Sequence, residues 1–387
     1  MSLKTKVDAL LHTAVQAGDV PGVVAVATDR NGTIYEGSFG SRVLGESNEM
    51  TLDTIVWIAS MTKAITGTAA MQLVEQGKLS LDGPASDVVP ELGEVQVLEG
   101  FDADGQPITR APKRAITLRH LLTHTAGFAY EFWNATVVRY QQLKGLPPII
   151  SCQNATLQLP LLADPGERWE YGINMDWAGK MVEAASGQKL GDYFAEHIFG
   201  PLGMDDTGFR ITPSMRERLA TVHQRVENGE LVPIEFEVPQ DPEFEMGGGG
   251  LYGTVGDYLK FIRMILNHGS AGSVQILKPE TVDLMAGNAM GDCQVTMLQT
   301  VMPTVSNDAE FFPGMSKSWG LSFMINNEQA DTGRPAGSLA WAGLANTYYW
   351  IDLTNGLGGV YATQIFPFGD IKSLPLFFEF EKLVYQS

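Results

Sequence analysis

The chain has 387 residues, 44% of them hydrophobic and 9% aromatic, which supports a large core and excludes a disordered chain. Its formal net charge of -19 and pI of about 4.7, with no local basic patch, disfavour binding to nucleic acid or to an anionic membrane surface. The length suits two structural domains, or one large domain carrying an insertion.

The opening stretch MSLKTKVDALLHTAV places Leu3, Val7, Leu10, Leu11 and Val15 at helical spacing. That pattern is an amphipathic surface helix rather than a signal peptide, and no run approaches the ~20 apolar residues of a membrane span. A soluble, cytoplasmic protein without a membrane partner is therefore expected. Residues 23–28 and 33–37 read as a hairpin around a turn at 29–32. Residues 60–77 predict a long apolar helix closed by Gly77. Residues 117–124 and 174–186 predict two more helices, the second closing at Gly187. The glycine run 247–250 would cost a helix interior about 1 kcal/mol per residue, so it marks a close backbone approach or a hinge. A helix is expected over 255–267. TYYWIDL and GLGGVYATQIF read as strands joined at Thr354-Asn355-Gly356, a hairpin signature, and a last amphipathic helix spans 374–385.

Strands thus lie at both ends of the chain and helices in the middle. The expected class is α+β: an antiparallel sheet built from both termini and flanked by helices, plus a mostly helical domain. The expected limits are 1–69 with 247–387 for the discontinuous α/β domain and 70–246 for the helical one, with the active site between them.

Chemistry narrows from what is missing. There is no G-x-S-x-G elbow, P-loop, G-x-G-x-x-G or H-E-x-x-H. Cys152 and Cys293 have no metal spacing and read as buried free thiols. His120 and His124 stand four apart on a predicted helix, but no third ligand is suggested. They are expected to pack or cap locally, and no metal site is expected.

S-x-x-K occurs at 60–63 and again at 186–189. The chemistry needs both side chains on one helical turn, so that the amine reaches the hydroxyl. Ser60 opens the long helix, whose free N–H groups and positive end favour an alkoxide and can line an oxyanion hole. Lys63, buried there, would have a lowered pKa and serve as a base. Ser186 stands where a helix stops, and Lys189 has no reason to face it. Taken alone, Ser60 and Lys63 fit a capping serine and an exposed lysine better than a catalytic pair.

Longer segments carry a resemblance. IASMTKAITGTAAMQLVEQGKLSLDGPASDVVPEL resembles the first motif region of the serine β-lactamase and penicillin-binding superfamily. ITLRHLLTHTAGF, FGPLGMDDTGF and GGGGLYGTVGDYLKFIRMILN are similar to segments of its class C branch, in order and nearly end to end. Two departures narrow the match. The Y-x-N motif keeps Tyr171 but has Ile173 in the asparagine position, and the following Asn174-Met175-Asp176 resembles family VIII carboxylesterases. The K-T-G strand is replaced by Leu339-Ala340-Trp341-Ala342-Gly343-Leu344, a W-x-G form that again resembles that family. The tail WIDLTNGLGGVYATQIFPFGD also resembles a related fungal acyltransferase that acylates a statin precursor.

The resemblance implies a class C β-lactamase-like fold and a carboxylesterase for neutral short-to-medium-chain esters, with weak or no β-lactamase activity. An acyltransferase using the same acyl-enzyme, or a true β-lactamase, is the alternative. It implies Ser60 as nucleophile, with Lys63 and Tyr171 sharing the proton work; which of them is the first base stays open. The backbone N–H groups of Ser60 and Leu344 would form the oxyanion hole. Trp341 would present an apolar surface where the K-T-G lysine holds a substrate carboxylate, so an anionic β-lactam loses its charge partner. Gly343 would let the strand approach the substrate, and Phe128, Tyr130, Phe132 and Trp133 are candidates to line the acyl or alcohol site. The implied substrate is a small-molecule ester, and no cofactor or metal is implied.

Overall fold

A computed structural model of the chain describes residues 2–387. Helix α1, Leu3–Gln16, starts on Ser2, whose hydroxyl accepts the Thr5 N–H, and it buries Val7, Leu11 and Ala14. Strands β1, Gly22–Thr28, and β2, Thr33–Gly40, follow as an antiparallel hairpin. β1 is buried along its whole length, which explains its unbroken apolar sequence. Helix α2, Thr62–Glu75, is buried over most of its circumference. Helix α3, Leu118–Leu122, begins in a capping box: the Thr117 hydroxyl accepts the His120 N–H, and the His120 ring accepts the Thr117 N–H. Helix α4 covers Asn174–Ser186, and helix α5, Val255–Leu266, is capped by the Thr254 hydroxyl. The remaining strands are β3, Lys317–Trp319; β4, Met324–Asn326; β5, Leu339–Gly343; β6, Thr347–Asp352; and β7, Leu357–Ala362. Helix α6, Ser373–Tyr385, ends the fold.

The sheet has seven strands in the order β3-β4-β5-β6-β7-β1-β2, every neighbour antiparallel. β7 pairs with β1, Val360 opposite Val26, so the two ends of the chain meet in mid-sheet. α5 packs on β7 and β1, and α1 packs against β2 and α6. α2 packs against α4, which joins it to the helical region. This is the α+β architecture the sequence leads one to expect. The expected limit at residue 69 falls inside α2, which is continuous. Among the described residues no helix is long and apolar enough to cross a membrane.

Candidate active site

The segment before Ser60 is held by a short ladder. Val56–Trp57 pairs antiparallel with Tyr252–Gly253, and the Ile58 N–H donates to the Leu251 carbonyl at 3.0 Å. The next residue, Ala59, has φ of 45°, a region that a residue with a Cβ rarely enters. Ser60 then sits in a 3₁₀ turn, Ala59–Met61, just ahead of α2 rather than inside the α-helix. It is half-buried. At the other side, a Cβ on Gly343 would lie 2.4 Å from the Ile58 carbonyl and 2.2 Å from the Thr347 hydroxyl. Only glycine lets the end of β5 lie against the Ser60 turn. Leu344 follows it, and Leu344 and Ser60 line the same pocket. Neither the Ser60 nor the Leu344 N–H has an acceptor among the described residues.

Lys63 lies one turn beyond Ser60 and is 1% exposed. Its Nζ is 3.0 Å from Ser60 Oγ, 3.2 Å from the Tyr130 hydroxyl and 2.5 Å from the Gly248 carbonyl. Burial pushes the amine down from 10.5 to about 7, while the negative charge of Asp176 pulls the other way. The alternative of an exposed lysine one turn past a capping serine is therefore not what forms. Asp176, in the first turn of α4, is also buried; its carboxyl rises from 3.8 to about 6, through burial opposed by Lys63.

Tyr171 reaches the site from the segment before α4. Lys63 Nζ stands 4.7 Å from the centre of its ring. Burial holds its hydroxyl above the usual tyrosine range, with Ser60 and Trp341 hydrogen bonding acting against the rise. Trp341 differs from the bare apolar wall expected of it. It is 4% exposed, and its indole N–H donates to the Tyr171 hydroxyl at 2.7 Å. That bond occupies a Tyr171 lone pair and leaves the phenolic proton free to point elsewhere. Trp341→Phe keeps most of the ring and removes the donor. It is expected to lower kcat about tenfold, the worth of one hydrogen bond, with little change in KM. Steady-state kinetics on p-nitrophenyl butyrate check this.

An apolar pocket of about 270 Å³ opens beside Ser60, with Trp57, Phe236, Ile149 and Phe366 among its walls. Tyr130, Phe132 and Trp133 line it. Phe128 does not: it is fully buried and stacks on Trp177, while its carbonyl accepts a hydrogen bond from Asn174. It is a core residue, because the chain turns its side chain away from the pocket two residues before Tyr130. Glu131 is the one charged residue on the pocket wall; burial raises its carboxyl pKa, and one of its oxygens accepts the Ile149 N–H. A second space of about 10 Å³, roughly one water, lies among Ser60, Tyr171, Trp341 and Leu344.

Other expectations resolve locally. The four glycines form a close approach: Gly247 and Gly248 carbonyls accept from Thr66 and Lys63, and the Gly249 carbonyl accepts from Trp57. The Ser186 hydroxyl bonds back to the Val182 carbonyl at 2.7 Å, and Lys189 merely precedes the next helix. Both cysteines are free, Cys152 buried but Cys293 only half-buried. His124 packs on the Tyr171 ring and contacts Asn174. No group of three or more His, Cys, Asp or Glu is placed to hold a metal among the described residues. Sequence reasoning misses Asp176 and Gly248 as members of the site; their signals are the unusual glycine run and an acidic residue in the first turn of a buried helix.

Fold and family together define the class. The family model described as Beta-lactamase matches residues 7–375, and the chain belongs to that family. It is an acyl-enzyme protein of the serine hydrolase and acyltransferase kind. Among its relatives, ML-236A carboxylate methylbutanoyltransferase mlcH of Penicillium citrinum is 33% identical over 98% of this chain and 93% of that protein. Lovastatin esterase of Penicillium rubens is 33% identical over 92% of each chain. Among solved structures, a LovD6 mutant of simvastatin synthase from Aspergillus terreus matches with a TM-score of 0.87 at 31% identity, covering 100% of this chain and 95% of that one. EstCE1, described as a hydrolase with promiscuous acyltransferase activity, matches with a TM-score of 0.78 at 25% identity, covering 99% and 98%.

Proposed function

We propose that the protein is a carboxylesterase that hydrolyses neutral short-to-medium-chain esters through an acyl-enzyme on Ser60. The observation that carries this is the Ser60–Lys63 contact: a buried amine, pushed down to about 7, at 3.0 Å from a hydroxyl that opens onto an apolar pocket.

Ser60 Oγ attacks the ester carbonyl and gives its proton to Lys63. Burial lowers Lys63 and raises Tyr171, so the amine is the base and the phenol keeps its proton as an acid. The N–H groups of Ser60 and Leu344 receive the oxyanion. The C–O bond to the alcohol then breaks, and Tyr171 protonates the departing oxygen. Lys63 returns a proton to the phenolate and is again a free base. A water in the one-water space beside Tyr171 loses a proton to this pair and attacks the acyl carbonyl. The acid leaves, and Ser60 regains its proton.

The pocket wall supplies no cation, and Glu131 is its one charged residue. A substrate carboxylate would find no partner there. A neutral ester fits, and an anionic β-lactam does not. The relative named as a lovastatin esterase and the hydrolase EstCE1 support hydrolysis. A second reading, acyl transfer to an alcohol, is favoured by the methylbutanoyltransferase among the relatives. Product analysis with p-nitrophenyl butyrate and an added alcohol separates the two. Hydrolysis predicts butyrate as the main product. A butyrate ester of the added alcohol as the main product would make transfer the function.

A further inference from the structure

Three acceptors surround Lys63 Nζ: Ser60 Oγ, the Tyr130 hydroxyl oxygen and the Gly248 carbonyl. An ammonium satisfies all three with its three hydrogens. A neutral amine has only two. With those on Tyr130 and Gly248, the lone pair is left facing Ser60. The two partners other than the serine therefore decide where the base points.

Both are held by one carboxylate. Asp176 Oδ1 accepts the Gly248 N–H at 2.8 Å, and Asp176 Oδ2 accepts the Tyr130 O–H at 3.5 Å. Turning its hydrogen to Asp176 leaves Tyr130 presenting a lone pair to Lys63. The fit needs a residue without a side chain at 248, since a Cβ there would lie 2.7 Å from both Asp176 Oδ2 and the Tyr130 hydroxyl. Asp176 itself is 1% exposed and lines neither the apolar pocket nor the one-water space.

We infer that Asp176 is a positioning residue: by fixing the Gly248 peptide and the Tyr130 hydroxyl, it aims the Lys63 lone pair at Ser60. This rests on the reading of Lys63 as the base. The ionisable groups facing this cluster are Tyr130 and Glu131 from the loop after α3, His124 just beyond α3, Cys152 further along the chain, and Tyr171 and Asp176 from the α4 segment. Among them Asp176 is the one whose charge raises Lys63 against burial. Burial first, and then the charge of Lys63, holds His124 well below the usual histidine range.

The test is the pH dependence of Ser60 inactivation by a p-nitrophenyl alkylphosphonate, which needs no knowledge of the natural ester. Asp176→Asn is expected to slow inactivation about 100-fold at alkaline pH, the scale of a misaimed reacting group. Its acid limb should also move to lower pH, because the charge that raises Lys63 is gone. KM for p-nitrophenyl butyrate should stay near wild type. Tyr130→Phe removes one of the two aiming contacts without burying a new charge, and is expected to slow inactivation about tenfold. An unshifted acid limb in Asp176→Asn reduces Asp176 to a structural group and overturns the inference. If that variant does not fold, Tyr130→Phe decides alone, and a wild-type rate overturns the inference. Failure of the wild-type enzyme to label at Ser60 is a different result and sinks the proposed function instead.

Discussion

Replacing Ser60 with alanine is expected to lower kcat on p-nitrophenyl butyrate by on the order of 10⁶-fold, to near the uncatalysed background. The size follows from the role. In the proposed mechanism the hydroxyl is the group that bonds to the acyl carbon; the other hydroxyl at Lys63, on Tyr130, is raised above the usual tyrosine range by burial and turns its hydrogen to Asp176. Lys63 would keep its contacts with Tyr130 and Gly248, so the base would remain in place with nothing to activate. The fold should be unaffected. Ser60 is half-buried and its hydroxyl supports no backbone group, so the melting temperature should stay within about a degree of wild type. Assays before and after a phosphonate chase distinguish a dead enzyme from a trace of wild-type contamination. Unchanged hydrolysis in a correctly folded Ser60→Ala would remove both the esterase and the acyltransferase readings at once.

Lys63→Met is the second large effect. Methionine fills much the same buried volume and removes the amine, so kcat/KM should fall by about 10³–10⁴-fold, the upper range for a lost general base. The pH profile carries the sharper signature. In the wild type the amine must be neutral to take the Ser60 proton. Activity therefore rises with pH through about 7, where burial has placed Lys63, rather than through the usual lysine range near 10.5. The residual activity of Lys63→Met should lack that limb. Stability follows the same shift with a definite sign. Between about 7 and 10.5 the unfolded chain holds a proton on Lys63 that the folded chain has released, so folding stability gains as pH rises through that window. Below about 7 both states are protonated and this contribution is flat. Thermal melts at several pH values should show a shallower rise for Lys63→Met than for wild type.

Several parts of the site are legible in the amino-acid sequence. Ser60 and Lys63 are three apart, a spacing that any helical turn brings to one face, and the fold puts them 3.0 Å apart. Tyr171 and the strand ending at Gly343 follow from motif order, and both line up with Ser60. The hairpins and the long helices follow from apolar period and turn residues, which are local signals. Side-chain direction and long-range pairing are not local, and they stay hidden. Asp176 meets a peptide N–H 72 positions away, a pairing that neither the glycine run nor the acidic first turn of α4 specifies. Tyr130 and Phe128 look alike as aromatic lining, yet one points its hydroxyl at Lys63 and the other fills the core. Trp341 suggests an apolar ring, while its indole N–H makes the contact that matters to Tyr171. The glycine run is ambiguous for the same reason: composition permits a hinge, and only the packing of Gly248 against Asp176 and Tyr130 makes it a close approach.

Turnover is proposed to pass through an acyl group carried on Ser60. Rapid acid quenching of the enzyme during turnover of p-nitrophenyl butyrate, followed by peptide mass spectrometry, tests it most directly. One butyryl group is expected on the peptide containing Ser60, present in wild type and absent in Ser60→Ala. A butyryl group on any other residue, or turnover by the wild-type enzyme with no butyryl group on Ser60 in samples quenched within the first turnover, would contradict it.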